Sequence, residues 1–157
     1  MDDPYTTTIS WPNFHSGANG DYQQIRVIAP IHAVLSDPNS PTGVIRYLPS
    51  HPHEGDVSAP VDQDARVIAM GASKVTKKPF NIAVAFEPSS FGGPAIAQST
   101  FHHFADYNWD PRSGCPSFVT EPPGDAIARD PQALADIRQY VLNIAAWLSG
   151  QPKMPRP

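Results

Sequence analysis

The chain has 157 residues, 40% hydrophobic and 17% charged, with a formal net charge of −4, which suits one domain with a buried core. Its densest basic cluster is the pair Lys77-Lys78, so nucleic acid is not expected as a partner, since phosphate binding needs concentrated Lys and Arg. No apolar run approaches the ~20 residues that cross a bilayer, which leaves no membrane role to expect.

The opening MDDPYTTTIS carries neither the charged nor the apolar region of a signal peptide, so a cytoplasmic protein is expected. Residues 1–20 read as an irregular N-terminal segment of a single domain spanning 1–157. With 19 prolines between short apolar runs, a loop-rich architecture follows.

Five runs then read as strands: QIRVIA at 24–29, GVIRYL at 43–48, ARVIAM at 65–70, NIAVAF at 81–86 and PAIAQS at 94–99. Each is rich in Ile, Val or Phe and is bounded by turn-forming residues. The runs at 65–70 and 81–86 show little polar alternation, as in strands covered on both faces, and SKVTKKP between them suits a hairpin loop. One long helix is predicted over 131–149, with Asp130 as N-cap, Pro131 at the first helical position and Gly150 as the stop. Its apolar stripe is Leu134, Ile137, Val141, Ile144 and Leu148, bordered by Trp147, and 151–157 reads as a flexible tail. The fold class expected is therefore α/β, with a mixed sheet of about five short strands and one long C-terminal helix, a flavodoxin-like fragment. One strong helix cannot supply a crossover for every parallel strand pair, so a largely antiparallel or mixed sheet is the alternative.

Two loops gather chemistry. In LPSHPHEGDV, His51 and His53 are two residues apart, so in extended backbone both project to one side and suit one ion. Glu54 and Asp56 add oxygens. The same hexapeptide also suits a stiff, solvated surface turn. In FHHFADYNWD, Asp106, Asn108 and Asp110 repeat the first three ligand positions of a calcium loop, though Pro111 stands where its glycine belongs. The rival arrangement buries Phe101, Phe104, Tyr107 and Trp109 and leaves the polar side chains in water. His102 and His103 end a strand, where α/β proteins place their sites, and a histidine there serves as a general base.

Ser99 lies three residues before His102 without a G-x-S-x-G elbow, so a serine nucleophile is not supported. Cys115 is the only cysteine, which excludes an internal disulfide, and it reads as a buried, inert thiol.

In order, PIHAVL, HPHEG, RVIAMG, IAVAFE, GGPAIAQSTFHH and NIAAWLSG resemble the C-terminal half of ThuA-like (trehalose-utilisation) proteins over roughly residues 30–150. The resemblance implies a class I glutamine-amidotransferase-like fold and carbohydrate-related chemistry. The family's N-terminal βαβ half and its cysteine elbow have no counterpart here, so amidotransfer through Cys, His and Glu is not expected.

Two functions follow. One is a metal-dependent hydrolase of a small ester, lactone or sugar-derived substrate. Its catalytic residues would be His51, His53, Glu54, His102 and His103. Asp106, Asn108, Asp110 and Asp56 would hold a divalent metal, calcium in preference to zinc, and Tyr107 and Trp109 would contact substrate. The other is a carbohydrate-binding or subunit-assembly module that presents Trp11, Phe14, Tyr107 and Trp109 and completes its sheet as a homo-oligomer.

Overall fold

The computed structural model describes residues 13–90 and 92–150. Trp11 and the tail at 151–157 lie outside them. Among the described residues the fold is a small α/β arrangement of six short strands and three helices. The first predicted strand, 24–29, is met only in part: β1 is Tyr22–Gln24, starting two residues earlier, and β2 is Arg26–Val27. Between them, the Ile25 N–H turns to Arg46 O at 2.9 Å, and the chain passes from one sheet to the other. β3 is Tyr47–Pro49 and pairs with β1 in a two-stranded sheet. β4 (Ala65–Ala72), β5 (Pro79–Phe86) and β6 (Ala95–Gln98) join β2 in a four-stranded sheet of order β2-β4-β5-β6.

Every one of these pairings is antiparallel. The parallel pairs of a flavodoxin-like sheet do not occur among the named strands, and the antiparallel alternative describes them. The physical reason lies in the connections. SKVTKKP closes a hairpin between β4 and β5, and FEPSSFGGP closes the next, too short for a crossover helix. β4 and β5 run two residues beyond the expected ends, on the C-terminal and N-terminal sides respectively, and carry the centre of the core. Ile68, Ala69, Phe80, Ile82, Ala83 and Ala85 are buried there with Phe14, Leu35, Ile45, Leu48 and Tyr140 in one apolar cluster.

Two further helices are single turns: α1 is Asp106–Trp109 and α2 is Ala126–Arg129. α3 spans Pro131–Ser149. The Asp130 side chain caps it by accepting from the N–H groups of Gln132 and Ala133 at 3.0 and 3.2 Å. Gly150 closes it in the left-handed region at φ 67°, where a side chain would be strained.

The buried face of α3 differs from the apolar stripe. It consists of Ala133, Asp136, Ile137, Gln139, Tyr140, Asn143 and Ala146, while Leu148 is exposed and Leu134, Val141 and Ile144 are half-buried. The polar members face irregular backbone that has no ladder partner. Asp136 accepts from the Arg46 N–H at 2.8 Å, and Asn143 donates to Val34 O and Ser36 O, both at 3.0 Å. A helix that must satisfy loop backbone buries amides and carboxylates along with its apolar residues. Trp147 packs at the border of the core, edge-on to His32.

Candidate functional site

β3 delivers the chain into Ser50–Gly55, and β6 delivers it into a 3-10 turn over Phe101–Phe104. The two segments lie against each other. Phe14 and Glu54 exchange backbone hydrogen bonds at 2.7 and 2.8 Å, and the Gly55 N–H donates to Ser99 O at 3.0 Å. Any Cβ at position 55 would stand 2.8 Å from that carbonyl oxygen, so the approach requires glycine. On the far side, Asn108 Nδ2 donates to Ser50 O at 3.1 Å and to Asn19 Oδ1 at 3.0 Å.

The junction has an inner and an outer layer. Inside, the side chains of Glu54 and His103 are fully buried, with Oε2 and Nε2 3.4 Å apart. Glu54 Oε1 accepts from Ser16 Oγ and Gln23 Nε2, and its Oε2 accepts from Ser99 Oγ at 3.0 Å. His103 Nδ1 meets Gln98 Oε1 at 3.1 Å, and the Gln98 amide donates onward to the Tyr140 hydroxyl. Burial pushes the Tyr140 hydroxyl far above its ordinary range, so it remains protonated. The whole row is a buried carboxylate held by neutral donors, as a buried acidic group requires.

Outside it, the imidazoles of His51 and His102 stack with ring centres 3.5 Å apart and planes 8° from parallel. Burial lowers the pKa of His51 to about 3, with repulsion from His102 as the next cause. Burial likewise lowers His102 to about 4, against the raising effect of a hydrogen bond with Asn108. Both rings are neutral at neutral pH, which permits their face-to-face contact.

The Tyr107 hydroxyl meets His102 Nδ1 at 2.7 Å, and His51 Nδ1 accepts from the His53 N–H at 3.0 Å. His53 Nε2 stands 2.6 Å from Glu121 Oε1, with 17% and 14% of the two side chains exposed. Burial alone would raise Glu121, but the hydrogen bond with His53 and those from backbone N–H groups hold it below its usual range.

Five of the expected catalytic residues, His51, His53, Glu54, His102 and His103, therefore come together. The expected metal ligands do not. Asp106, Asn108 and Asp110 sit on and just past the helical turn α1, where residues two apart face different directions. Asp106 accepts from the Tyr107 N–H, buried Asn108 bonds inward, and Asp110 grips Arg112 through Nε and a terminal nitrogen at 2.9 and 2.7 Å. Arg112 also holds the Asp110 carboxyl below its usual range. Asp56 accepts from the Asn81 N–H at 2.6 Å, at the start of β5. Among the described residues no group of three or more His, Cys, Asp or Glu is arranged to hold a metal ion.

Other expectations are corrected here. Phe14 is core, stacked on Phe80 with centroids 4.8 Å apart. Tyr107 is buried and Trp109 half-buried, its indole N–H donating to His103 O at 2.9 Å. Cys115 is exposed, in a loop between the 3-10 turn at Pro111–Ser113 and α2, not buried as expected.

Ser16, Gln23, Gln98 and Glu121 were not expected in the site. All but Glu121 are neutral polar residues in unremarkable contexts, and Glu121 lies in the TEPPGD turn, remote in sequence from both loops. Among the described residues, no helix is long and apolar enough to cross a membrane. No protein family, curated protein or solved structure matches the chain.

Proposed function

We propose that this junction is the reactive centre of a hydrolase acting on a small ester, lactone or sugar-derived substrate. The observation that carries the reading is the meeting of two loops, about fifty residues apart in sequence, that place four imidazoles and the Glu54 carboxylate in one cluster, to which a third segment adds Glu121. The outer layer supplies the chemistry. His53 and Glu121, joined at Nε2, act as one imidazole–carboxylate pair that takes the proton from attacking water and returns it to the leaving alkoxide. His102 and the Tyr107 hydroxyl supply a neutral hydrogen-bonding pair beside it, suited to steadying a carbonyl oxygen. The inner layer, saturated by its own donors, keeps the loops in place. No step is given to a divalent ion, since among the described residues no group of three or more His, Cys, Asp or Glu is arranged to hold one. Kinship with ThuA-like proteins also belongs to it, on the sequence resemblance alone, since the antiparallel sheets lend it no support.

The test is turnover of nitrophenyl acetate and a small lactone, with and without chelation, by the wild type and by His53→Ala and His102→Ala. The expected outcome is hydrolysis by the wild type and a loss in kcat of roughly 10²- to 10⁴-fold in His53→Ala. No turnover by the wild type, or equal turnover by all three proteins, overturns the proposal. A specific observation favours the second reading, a binding or assembly module: Phe101 and Phe118 are 71% and 82% exposed, two aromatic side chains open to a partner. Absence of turnover together with a stable homo-oligomer in solution selects it.

A further inference from the structure

Next to the junction, on the other side of α1, lies a hollow of about 370 Å³ between that helix and the α2–α3 corner. This volume is within the usual range for small-ligand sites. Its lining divides cleanly. Trp109, Ile127 and Leu134 give an apolar wall, and Asp106 and Arg138 give a carboxylate and a guanidinium from opposite elements. The other charges there, Asp110 and Arg112, neutralise each other in a two-bond ion pair.

Arg138 has no hydrogen bond or ion pair among the described residues, and Asp106 uses its carboxylate only on the neighbouring Tyr107 N–H. The Trp109 ring is fixed by its indole N–H on His103 O, yet it stacks on no other ring among the described residues. A flat aromatic face, one uncommitted acceptor and one uncommitted donor group, with no net charge between them, match a neutral ligand that has an apolar face and hydroxyls along its edge. We infer that this hollow binds a single sugar ring, its face on Trp109 and its hydroxyls shared between Asp106 and Arg138. The bond from Trp109 to His103 then couples the bound ring to the junction. As a statement about substrate class this rests on the hydrolase reading; as a statement about binding it does not.

The experiment is an NMR titration of the intact ¹⁵N-labelled chain with methyl glucoside, following the three tryptophan indole signals, with Trp109→Phe to assign the one of interest. A saturable shift of the Trp109 signal is expected, with a dissociation constant of about millimolar order, as suits a small polar ligand in an open site. Arg138→Ala and Asp106→Asn, both at exposed positions, are each expected to weaken binding at least about tenfold while leaving the remaining spectrum unchanged. His53→Ala, which abolishes hydrolysis in the reading above, is expected to bind methyl glucoside as the wild type does, so the two proposals fail separately. The inference is overturned by no saturable shift up to about 100 mM, by binding that survives Arg138→Ala, or by alanine zwitterion binding in preference to the glucoside.

Discussion

The stacked His51 and His102 make the fold sensitive to acid in a way that can be worked out. Their folded pKa values are about 3 and about 4, against an ordinary value of 6.5. Because both are depressed, the folded state binds fewer protons than the unfolded chain throughout the window between. Their contribution is fully present above pH 6.5 and is lost as pH falls. Taking pH from 7.5 to 5, each group costs about 2 kcal/mol, nearly independent of the exact folded value, because the unfolded chain has taken its proton and the folded one has not. Together they remove roughly 4 kcal/mol of the 5–15 kcal/mol typical of a domain.

Other titrating groups, including His32, whose pKa burial also lowers, add to the total, so the informative quantity is a difference. His51→Phe keeps a ring against His102 and removes one titrating site. It leaves the His53 N–H without its acceptor, a fixed cost of about 1–3 kcal/mol that does not vary with pH. Urea unfolding at several pH values, for both proteins, is the assay. The wild type is expected to lose about 2 kcal/mol more than the variant between pH 7.5 and 5, roughly a thirtyfold difference in the unfolding constant. Parallel pH profiles for the two proteins would refute the reasoning.

Three further outcomes follow from the same contacts. Glu54→Ala strands Ser16, Gln23, Ser99 and His103 in the interior and is expected to cost about 3 kcal/mol or more, read by urea unfolding. Gly55→Ala forces the two loops apart at the Ser99 carbonyl; a loss of about 1–3 kcal/mol is expected, seen as a lowered Tm. Asp130→Ala removes the side-chain cap of α3 and is expected to cost about 1 kcal/mol, again read from the unfolding midpoint.

Legibility in the sequence depended on the kind of force involved. α3 was readable to the residue at both ends, because Asp130, Pro131 and Gly150 act locally through backbone geometry. The central strands β4 and β5 were readable because their apolar runs are long and unbroken. The buried face of α3 was not, because Asp136 and Asn143 are inside only on account of loop carbonyls and amides 90 and 109 residues away in sequence. The same limit applied to the site. His51, His53, Glu54, His102 and His103 stood out by residue type, but nothing local reveals that Ser16 and Gln23 supply the donors that let Glu54 be buried. The calcium-loop spacing misled for the opposite reason. A match at alternate residues has meaning only in extended or looped backbone, and Asp106–Trp109 is a helical turn.

The division of the junction into layers sets a condition that any chemistry there must obey. Glu54 offers no free face to a ligand, because both its oxygens are occupied by protein donors and its side chain is fully buried. His103 is closed off in the same way between Glu54 and Gln98. Reactive groups must therefore be drawn from the partly exposed side chains, His53 with Glu121, and His102 backed by the buried Tyr107 hydroxyl. Substitution in the outer layer should then separate two quantities that move together in the inner one. His53→Ala leaves Glu121 without its partner at 14% exposure, so it should cost about 1–3 kcal/mol, less than Glu54→Ala, whereas any hydrolytic rate should collapse. An inner substitution such as Glu54→Ala loosens both loops and must reduce stability and rate together. A variant set in which His53→Ala unfolds the chain as readily as Glu54→Ala would show that the outer pair, too, is a structural tie, and the catalytic reading would lose its only accessible groups.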